Sequence, residues 1–266
     1  MLEIGKSGYY AWLKRAKSNR AKENEKLVFE IRVAHERSHR TYGSPRIYEA
    51  LGKKYGKHRI ARLMRENKIR SKHAKKYKAT TNSKHNYGVA VNILQGRFVA
   101  EMPNKVWVAD ITYVWTKEGW LYVSIVIDLY ARKVVGLAMS ERIDAELSNA
   151  ALKQAVERRR PSPGTIYHTD RGVTYAATTH QEIVMENKMV MSMSGKGNPF
   201  DNAPAESFHG TFKKELVFGE IFETREKAKV KIFSYIEGFY NTERLHSSNG
   251  YKSPEQAEKD YYQLNM

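Results

Sequence analysis

The sequence predicts an α/β protein: a mixed sheet flanked by helices, preceded by a small basic all-α region. Three observations carry this. First, charge is unevenly distributed. Residues 1–100 hold 25 Lys and Arg against 7 Asp and Glu, whereas residues 101–266 hold 21 against 22, so the whole excess lies in the first part. Second, three β-type apolar runs follow one another with tight connections, as hairpin-linked strands do. Third, the pattern then changes to helix, strand, helix, strand, helix, the ordering of a layered α/β fold.

The elements follow in chain order. Residues 21–40 have Leu27, Ile31 and Ala34 at helical spacing. Thr41-Tyr-Gly-Ser-Pro45 breaks that helix, and Ser44 before Pro45 reads as an N-cap and first helical residue. Ile47, Ala50 and Leu51 continue a second helix, and Gly56 interrupts it. A third begins near His58, with Ile60, Leu63 and Met64 inward and Arg59, Arg62 and Arg65 mostly outward. Two short helices around a glycine-containing turn are compatible with a helix-turn-helix. Tyr9, Tyr10 and Trp12 are expected to be core anchors. Residues 71–86 are polar, basic and aperiodic, a linker able to track a phosphate backbone. The expected division is a basic, helix-turn-helix-like region over 1–80, a linker over 81–100, and a sheet-containing part with C-terminal helices over 101–266.

Strands are predicted at Val106–Trp115, Trp120–Asp128 and Lys133–Met139. A helix over Ala145–Arg160 ends before Pro161-Ser-Pro-Gly164, a firm stop. Strand Thr165–Thr169, helix Thr178–Glu186 and strand Met189–Met193 complete five strands. Ser194-Gly-Lys-Gly-Asn-Pro199 is glycine-rich and expected to be mobile. Asp201-Asn202-Ala-Pro-Ala-Glu206 opens another helix, with Asn202 as cap and Pro204 in its first turn.

Composition narrows the function. There is no cysteine, which removes disulfides, thiol catalysis and cysteine-based zinc sites. No run of about 18 apolar residues appears, and no apolar leader opens the chain. The expectation is an intracellular soluble protein with no membrane span. An excess of 18 positive charges on 100 residues repels itself unless a polyanion is the partner.

Three acids stand at distinctive addresses. Asp110 lies inside Val106-Trp-Val-Ala-Asp-Ile-Thr-Tyr-Val-Trp115, Asp170 ends Thr165-Ile-Tyr-His-Thr-Asp170, and Glu206 is just inside a helix. An acid within or ending a buried strand is costly unless its charge is compensated. Clustered carboxylates raise one another's pKa, and a divalent cation removes that conflict. Phosphoryl transfer needs such positioned charge, and two ions about 3.5–4 Å apart supply it. Lys213, two helical turns after Glu206, is placed to meet a phosphate.

Several stretches together resemble the DDE transposases with a retroviral-integrase-type core, and more narrowly the OrfB-type proteins of copy-out, paste-in bacterial insertion sequences. They are Trp107-Val-Ala-Asp-Ile-Thr-Tyr113, Gly119-Trp-Leu-Tyr122, Asp128-Leu-Tyr-Ala-Arg-Lys-Val-Val-Gly136, His168-Thr-Asp-Arg-Gly172 and Gly197-Asn-Pro-Phe-Asp-Asn-Ala-Pro-Ala-Glu-Ser-Phe208. The tail Tyr240-Asn-Thr-Glu-Arg-Leu-His-Ser247 with Tyr251-Lys-Ser-Pro254 also fits, as do Ser7-Gly-Tyr-Tyr-Ala-Trp12 and Tyr42-Gly-Ser-Pro-Arg46. The resemblance implies an RNase H-like core, with Asp110, Asp170 and Glu206 as catalytic metal ligands for Mg²⁺ or Mn²⁺, two ions in the active complex. It implies cleavage at element ends and attack of the freed 3′-OH on target DNA. The implied partners are double-stranded DNA, further copies of the chain on that DNA, and an upstream-frame protein as a fusion. Arg59, Arg62, Arg65, Lys75, Lys76, Lys78, Lys213 and Lys214 are the candidate DNA contacts. Ala131, Leu137 and His209 depart from the family pattern. The rivals are a non-catalytic DNA-binding repressor and a nuclease without strand transfer. His168 is expected to be a packed histidine, and His35 with His39 lack partners for zinc.

Overall fold

The computed structural model describes residues 6–72, 90–195 and 199–265, with backbone alone at 199–200. The chain divides into two compact units, 1–72 and 73–266. Lys75, Lys76 and Lys78, residues 81–89 of the expected linker, and the centre of the glycine-rich segment lie outside the described residues.

The first unit is helical. Its elements are α1 (Lys6–Lys14), α2 (Asn19–Arg37), α3 (Ser44–Ala50) and α4 (Lys57–Glu66). Ser18 starts α2 by accepting a hydrogen bond from the Ala21 amide through its side chain. Leu27 and Ile31 of α2, Ile47 of α3 and Ile60 of α4 are completely buried, each worth roughly 1.5–3 kcal/mol of transfer. The turn from α3 to α4 passes through Gly52 at φ 63°, a left-handed conformation that glycine adopts without strain. Two expectations need correction. Gly43, not Ser44, is the N-cap of α3, and Ser44 is already helical. Tyr9, Tyr10 and Trp12 anchor no core: they are 48%, 59% and 64% exposed, and α1 buries no residue.

The second unit is a sheet of five strands, β1 (Val106–Thr116), β2 (Gly119–Asp128), β3 (Lys133–Ser140), β4 (Ile166–Thr169) and β5 (Val190–Met193), in the order β3-β2-β1-β4-β5. β1, β2 and β3 are antiparallel neighbours, and β4 and β5 run parallel to β1. The helices are α5 (Ala145–Arg159), α6 (Val173–Ala176), α7 (Thr178–Glu186), α8 (Ala203–Phe212), α9 (Arg225–Phe233) and α10 (Pro254–Leu264). Widened π turns at Lys213–Val217 and Ser234–Tyr240 extend α8 and α9.

Strand alternation sorts β1 between two cores. Val106, Val108 and Val114 pack with Ala205, Phe208 and Phe212 of α8 and Ala228 and Ile232 of α9. Trp107 and Ala109 pack oppositely, with Ala151, Leu152 and Ala155 of α5 and Tyr175 of α6. Asp110 therefore continues the α8 side. Gly136 lets α5 approach β3, since a Cβ there would stand 2.3 Å from the Ala151 carbonyl oxygen. Asp128, buried at the end of β2, accepts hydrogen bonds from the amides of Asn104 (2.7 Å) and Tyr130 (3.0 Å) and lies 3.5 Å from Arg159. It ties the β2–β3 turn to the segment entering β1.

Candidate active site

The acids are positioned by sheet register. β1 and β4 pair in parallel with Val106 opposite Ile166 and Val108 opposite His168. Two residues further in that register stand Asp110 and Asp170, just where β4 ends. β4 thus ends before it can pair with β1 beside Asp110. Burial first, then the charge of Asp170, then that of Glu206, hold the Asp110 carboxyl well above the ordinary range. The Ile111 amide, donating to Asp110 Oδ1 at 2.8 Å, and the Lys213 ammonium oppose this only in part.

Asp170 is fixed by its own turn. Its Oδ1 accepts the Gly172 amide at 2.8 Å, and a Cβ on residue 172 would stand 2.9 Å from that oxygen. The glycine after Asp170-Arg171 keeps the carboxylate unobstructed. Tyr175 of α6 is buried behind both aspartates, and burial and the nearby phenol of Tyr167, with the charges of Asp110 and Asp170, push its phenol upward.

Glu206 sits in the first turn of α8, where the helix dipole favours a carboxylate. It is exposed, in contrast to Asp110. Among the described residues, no three acidic or histidine side chains are gathered tightly enough to hold an ion as they stand. The structure thus brings Asp170, just past the end of β4, and Glu206 of α8 within electrostatic reach of Asp110. The donor set suits a hard divalent cation: three carboxylates, one of them costly to ionise without a countercharge.

Two further groups flank Asp110. His209 Nδ1 of α8 lies 3.4 Å from Asp110 Oδ2. Burial, then the Lys213 charge, pull His209 down to about 3, so near neutrality it is an uncharged neighbour. Its Nε2 is buried with no hydrogen-bond partner, as is Oδ1 of Asn202. Asn202 begins α8 but gives no side-chain cap; its Nδ2 reaches the Ala109 carbonyl at 3.5 Å instead. The expected capping role is therefore corrected: the carboxamide serves β1. Lys213 does not sit on a regular turn after Glu206, because α8 widens into the π turn at that residue. Its Nζ lies 4.3 Å from the centre of the Tyr113 ring.

Beneath α8 is a network that the sequence did not reveal. His168 Nδ1 meets Ser192 Oγ at 2.8 Å and its Nε2 meets the Asp201 carbonyl at 2.7 Å. Asp201 Oδ2 accepts from Asn92 Nδ2 (3.0 Å) and the Gly195 amide (2.7 Å). These contacts fix the entrance to α8 on β4 and β5, and hence the root of Glu206. His168 is fully buried, as the packed reading expected. Asn92, Asp201 and Tyr175 were missed because their partners lie far away in sequence; only Asn202 carried a local signal.

Of the basic candidates, Lys214 lies in the π turn after α8. Arg59 is held by Asn24 at 2.9 Å and Glu23 at 3.1 Å, and Arg62 lies 3.9 Å from Glu66. Arg65 is exposed on α4.

The strand order, with one acid inside β1, one just past the end of the adjoining β4 and one in the first turn of α8, defines an integrase-core fold of the DDE phosphoryl-transferase class. Integrase core domain models match residues 100–199 and 187–254, and an HTH-like domain model matches residues 22–77. The chain belongs to the IS3-family insertion-sequence transposases. It is 44% identical over 264 residues to an insertion element IS600 31 kDa protein of Shigella sonnei, covering 98% of this chain and 97% of that one. It is 38% identical over 263 residues to the transposase InsF for insertion sequence IS3A of Escherichia coli K12, covering 97% and 91%. In fold it is similar to a chain of the simian T-cell lymphotropic virus intasome solved with a PP2A regulatory subunit (TM-score 0.50, 16% identity, 86% of this chain and 74% of that chain).

Proposed function

We propose that Asp110, Asp170 and Glu206 are the catalytic acids of this transposase, that they hold Mg²⁺ or Mn²⁺, two ions in the active complex, and that the chain cuts element ends and joins the freed 3′-OH to target DNA. The observation that carries this reading is the state of Asp110. A half-buried carboxyl 3.4 Å from a neutral imidazole and in the field of two other acids is a costly arrangement for a structural residue, and a suitable one for a group that meets a cation with its substrate. When bound, the metal supplies charge neutralisation for the phosphodiester and lowers the barrier to attack by water or a 3′-OH.

The chain's own residues prepare that encounter. Asp110 and Asp170 are held by the amides of Ile111 and Gly172, which restrict their rotamers before substrate arrives. Glu206, exposed on the first turn of α8, completes the donor set by swinging toward β1. His209 remains neutral beside Asp110 and adds no competing positive charge. Lys213 brings an ammonium to the same side, in the field of Asp110, to meet a phosphate oxygen. The basic helical unit, with Arg59, Arg62 and Arg65, holds duplex DNA of the terminal repeats. Lys214 and the linker lysines Lys75, Lys76 and Lys78 add phosphate contacts. The active form is an oligomer assembled on the DNA of the bacterial nucleoid, and a fusion with an upstream-frame protein supplies further end recognition.

The test is incubation of a labelled duplex bearing the element end with Mg²⁺, with Mn²⁺ and with EDTA. Nicked and joined strands are expected with either metal and neither with EDTA. Nicks without joined strands would reduce the protein to a nuclease. DNA binding with no metal-dependent product would leave a repressor.

A further inference from the structure

The β1–β2 hairpin carries aromatic residues that the reaction above does not use. Tyr113 pairs with Tyr122 and Trp115 with Trp120 across the two strands. Trp115 is 56% exposed and Trp120 43%. Their rings meet edge to face at 4.7 Å, and the ring of Tyr113 meets that of Trp120 at 5.0 Å. Large exposed rings in contact with one another are unusual unless a partner covers them.

The patch is rigid. Thr116 Oγ1 donates to the Gly119 carbonyl at 2.7 Å inside the turn. Arg225 donates through its amide to Glu118 (2.8 Å) and through Nε to the Trp120 carbonyl (3.1 Å). The Lys117 amide donates to the Phe222 carbonyl at 3.0 Å. The rings are thus presented by a braced hairpin, without an ordering cost on binding.

The patch lies on the face of β1 opposite Asp110, and Lys213 links it to the acids. Tyr113 and Trp115 follow Asp110 by three and five residues on one strand, roughly 10–17 Å at ~3.3 Å per residue. Lys213 joins the two regions: its ammonium lies over the Tyr113 ring while Asp110 attracts it. Aromatic faces next to a cation are what unpaired nucleobases and their phosphates require. A paired duplex hides its base faces and has nothing to lay on these rings.

From this juxtaposition we propose that Tyr113, Trp115 and Trp120 form a stacking platform for unpaired bases of the DNA strand whose phosphate lies at Lys213 and Asp110. The platform rests on the catalytic reading of Asp110. It implies that the DNA end is opened over a few base pairs as it enters the site. The occupant is nucleic acid and not a second copy of the chain, because the cation that borders the rings lies next to the reacting acids.

The probe is a DNA duplex with its last three pairs mismatched and 2-aminopurine in the strand to be cut, mixed with the full chain in EDTA. Wild type is expected to quench the fluorophore and to prefer this probe over the fully paired duplex. Trp115→Ala with Trp120→Ala should lose the quenching and bind the mismatched probe about tenfold more weakly, with paired duplex affected far less. Trp115→Phe with Trp120→Phe should keep most of both. If the alanine pair fails to fold, Trp115→Leu with Trp120→Leu carries the same test with apolar volume retained. Unchanged quenching in a folded alanine or leucine pair overturns the proposal, as does a change in the sedimentation of the DNA-free chain, which would assign the patch to self-association. A wild-type chain that quenches but never cleaves would refute the proposed reaction and leave the platform standing.

Discussion

Asp110 and Glu215 are both acids shielded within the same unit, and their surroundings are opposite. Glu215 follows α8 in the π turn and is 4% exposed. Arg244 holds it with Nε at 3.0 and 2.9 Å and Nη2 at 2.8 Å, and Tyr235 donates its hydroxyl at 2.7 Å. Every strong demand of that carboxylate is met by a partner from the C-terminal segment. Asp110 accepts one amide, has an uncharged imidazole at 3.4 Å, and faces two further acids. The first arrangement fastens the α8 extension to the residues after α9. The second leaves charge unbalanced where substrate enters. The contrast teaches that burial alone does not distinguish a working acid from a structural one; the completeness of its partners does.

The largest expected effect comes from Asp110→Asn. The amide is nearly the same size but cannot neutralise a cation. Strand cleavage should fall by about 10³-fold or more, of the order seen when a group acting on developing charge is lost. Duplex affinity should persist, and the metal-free melting temperature should hold or rise, because a disfavoured charge has been removed. A gel assay and a melt in EDTA measure these outcomes. A variant that unfolds would place Asp110 with Glu215 among the structural acids.

Arg244→Ala should do the reverse. It leaves Glu215 buried with the Tyr235 hydroxyl alone, at a cost of about 3–5 kcal/mol, or a fall of about 10 °C in melting temperature for a unit of this size. Replacing both partners, Glu215→Leu with Arg244→Met, should recover much of that loss. If Arg244→Ala melts like wild type, the cluster does not fasten α8, and the comparison fails on its structural side.

The two acids also differ in pH response. Because the folded-state pKa of Asp110 lies above its unfolded value, its contribution to stability is full below the unfolded pKa and is lost as pH rises through the folded one. At neutral pH the metal-free protein therefore carries an ionisation penalty. Added Mg²⁺, binding only the folded chain, should stabilise it by about 2.7 kcal/mol at one hundred times its Kd. The melting shift should grow with pH and disappear in Asp110→Asn. An equal shift in that variant would locate the stabilising ion elsewhere.

The difference between the two acids was partly legible in the sequence. Asp110 announced itself by interrupting a strand-type run, and Asp170 and Glu206 by ending a strand and opening a helix. Alternation at Val106, Trp107, Val108 and Ala109 was enough to draw β1 and its two faces. Glu215 looked like any helical surface acid, because its partner Arg244 is 29 residues away and nothing local marks the pairing. The same holds for His168 with Asp201 and for Lys213 over Tyr113. The π turns that redirect α8 and α9 have no pattern of their own, and they moved Lys213 off the regular face expected from its spacing with Glu206. In α1 the apolar aromatic run looked like a core anchor, and its exposure is a tertiary fact that periodicity does not contain.

Paired and unpaired charge differ on α4 as well, and there the smallest effects are expected. Arg59 is engaged by Asn24 and Glu23, Arg62 stands at the limit of contact with Glu66, and Arg65 is exposed. A guanidinium already bound within the unit gives up those contacts before it meets phosphate, whereas an exposed one loses only water. Each phosphate contact adds about 0.9 to the salt slope of binding. Arg65→Ala should therefore lower that slope by about 1 and weaken duplex binding evenly across sequences. Arg59→Ala should alter it less and instead loosen the α2–α4 packing by a few tenths to about 1 kcal/mol, as exposed or half-exposed pairs do. Titrations at several salt concentrations, beside melts of the same variants, separate the two effects. A larger loss of slope for Arg59 than for Arg65 would mean that DNA draws Arg59 away from Glu23, and that on this helix the paired residue is the one that reads the duplex.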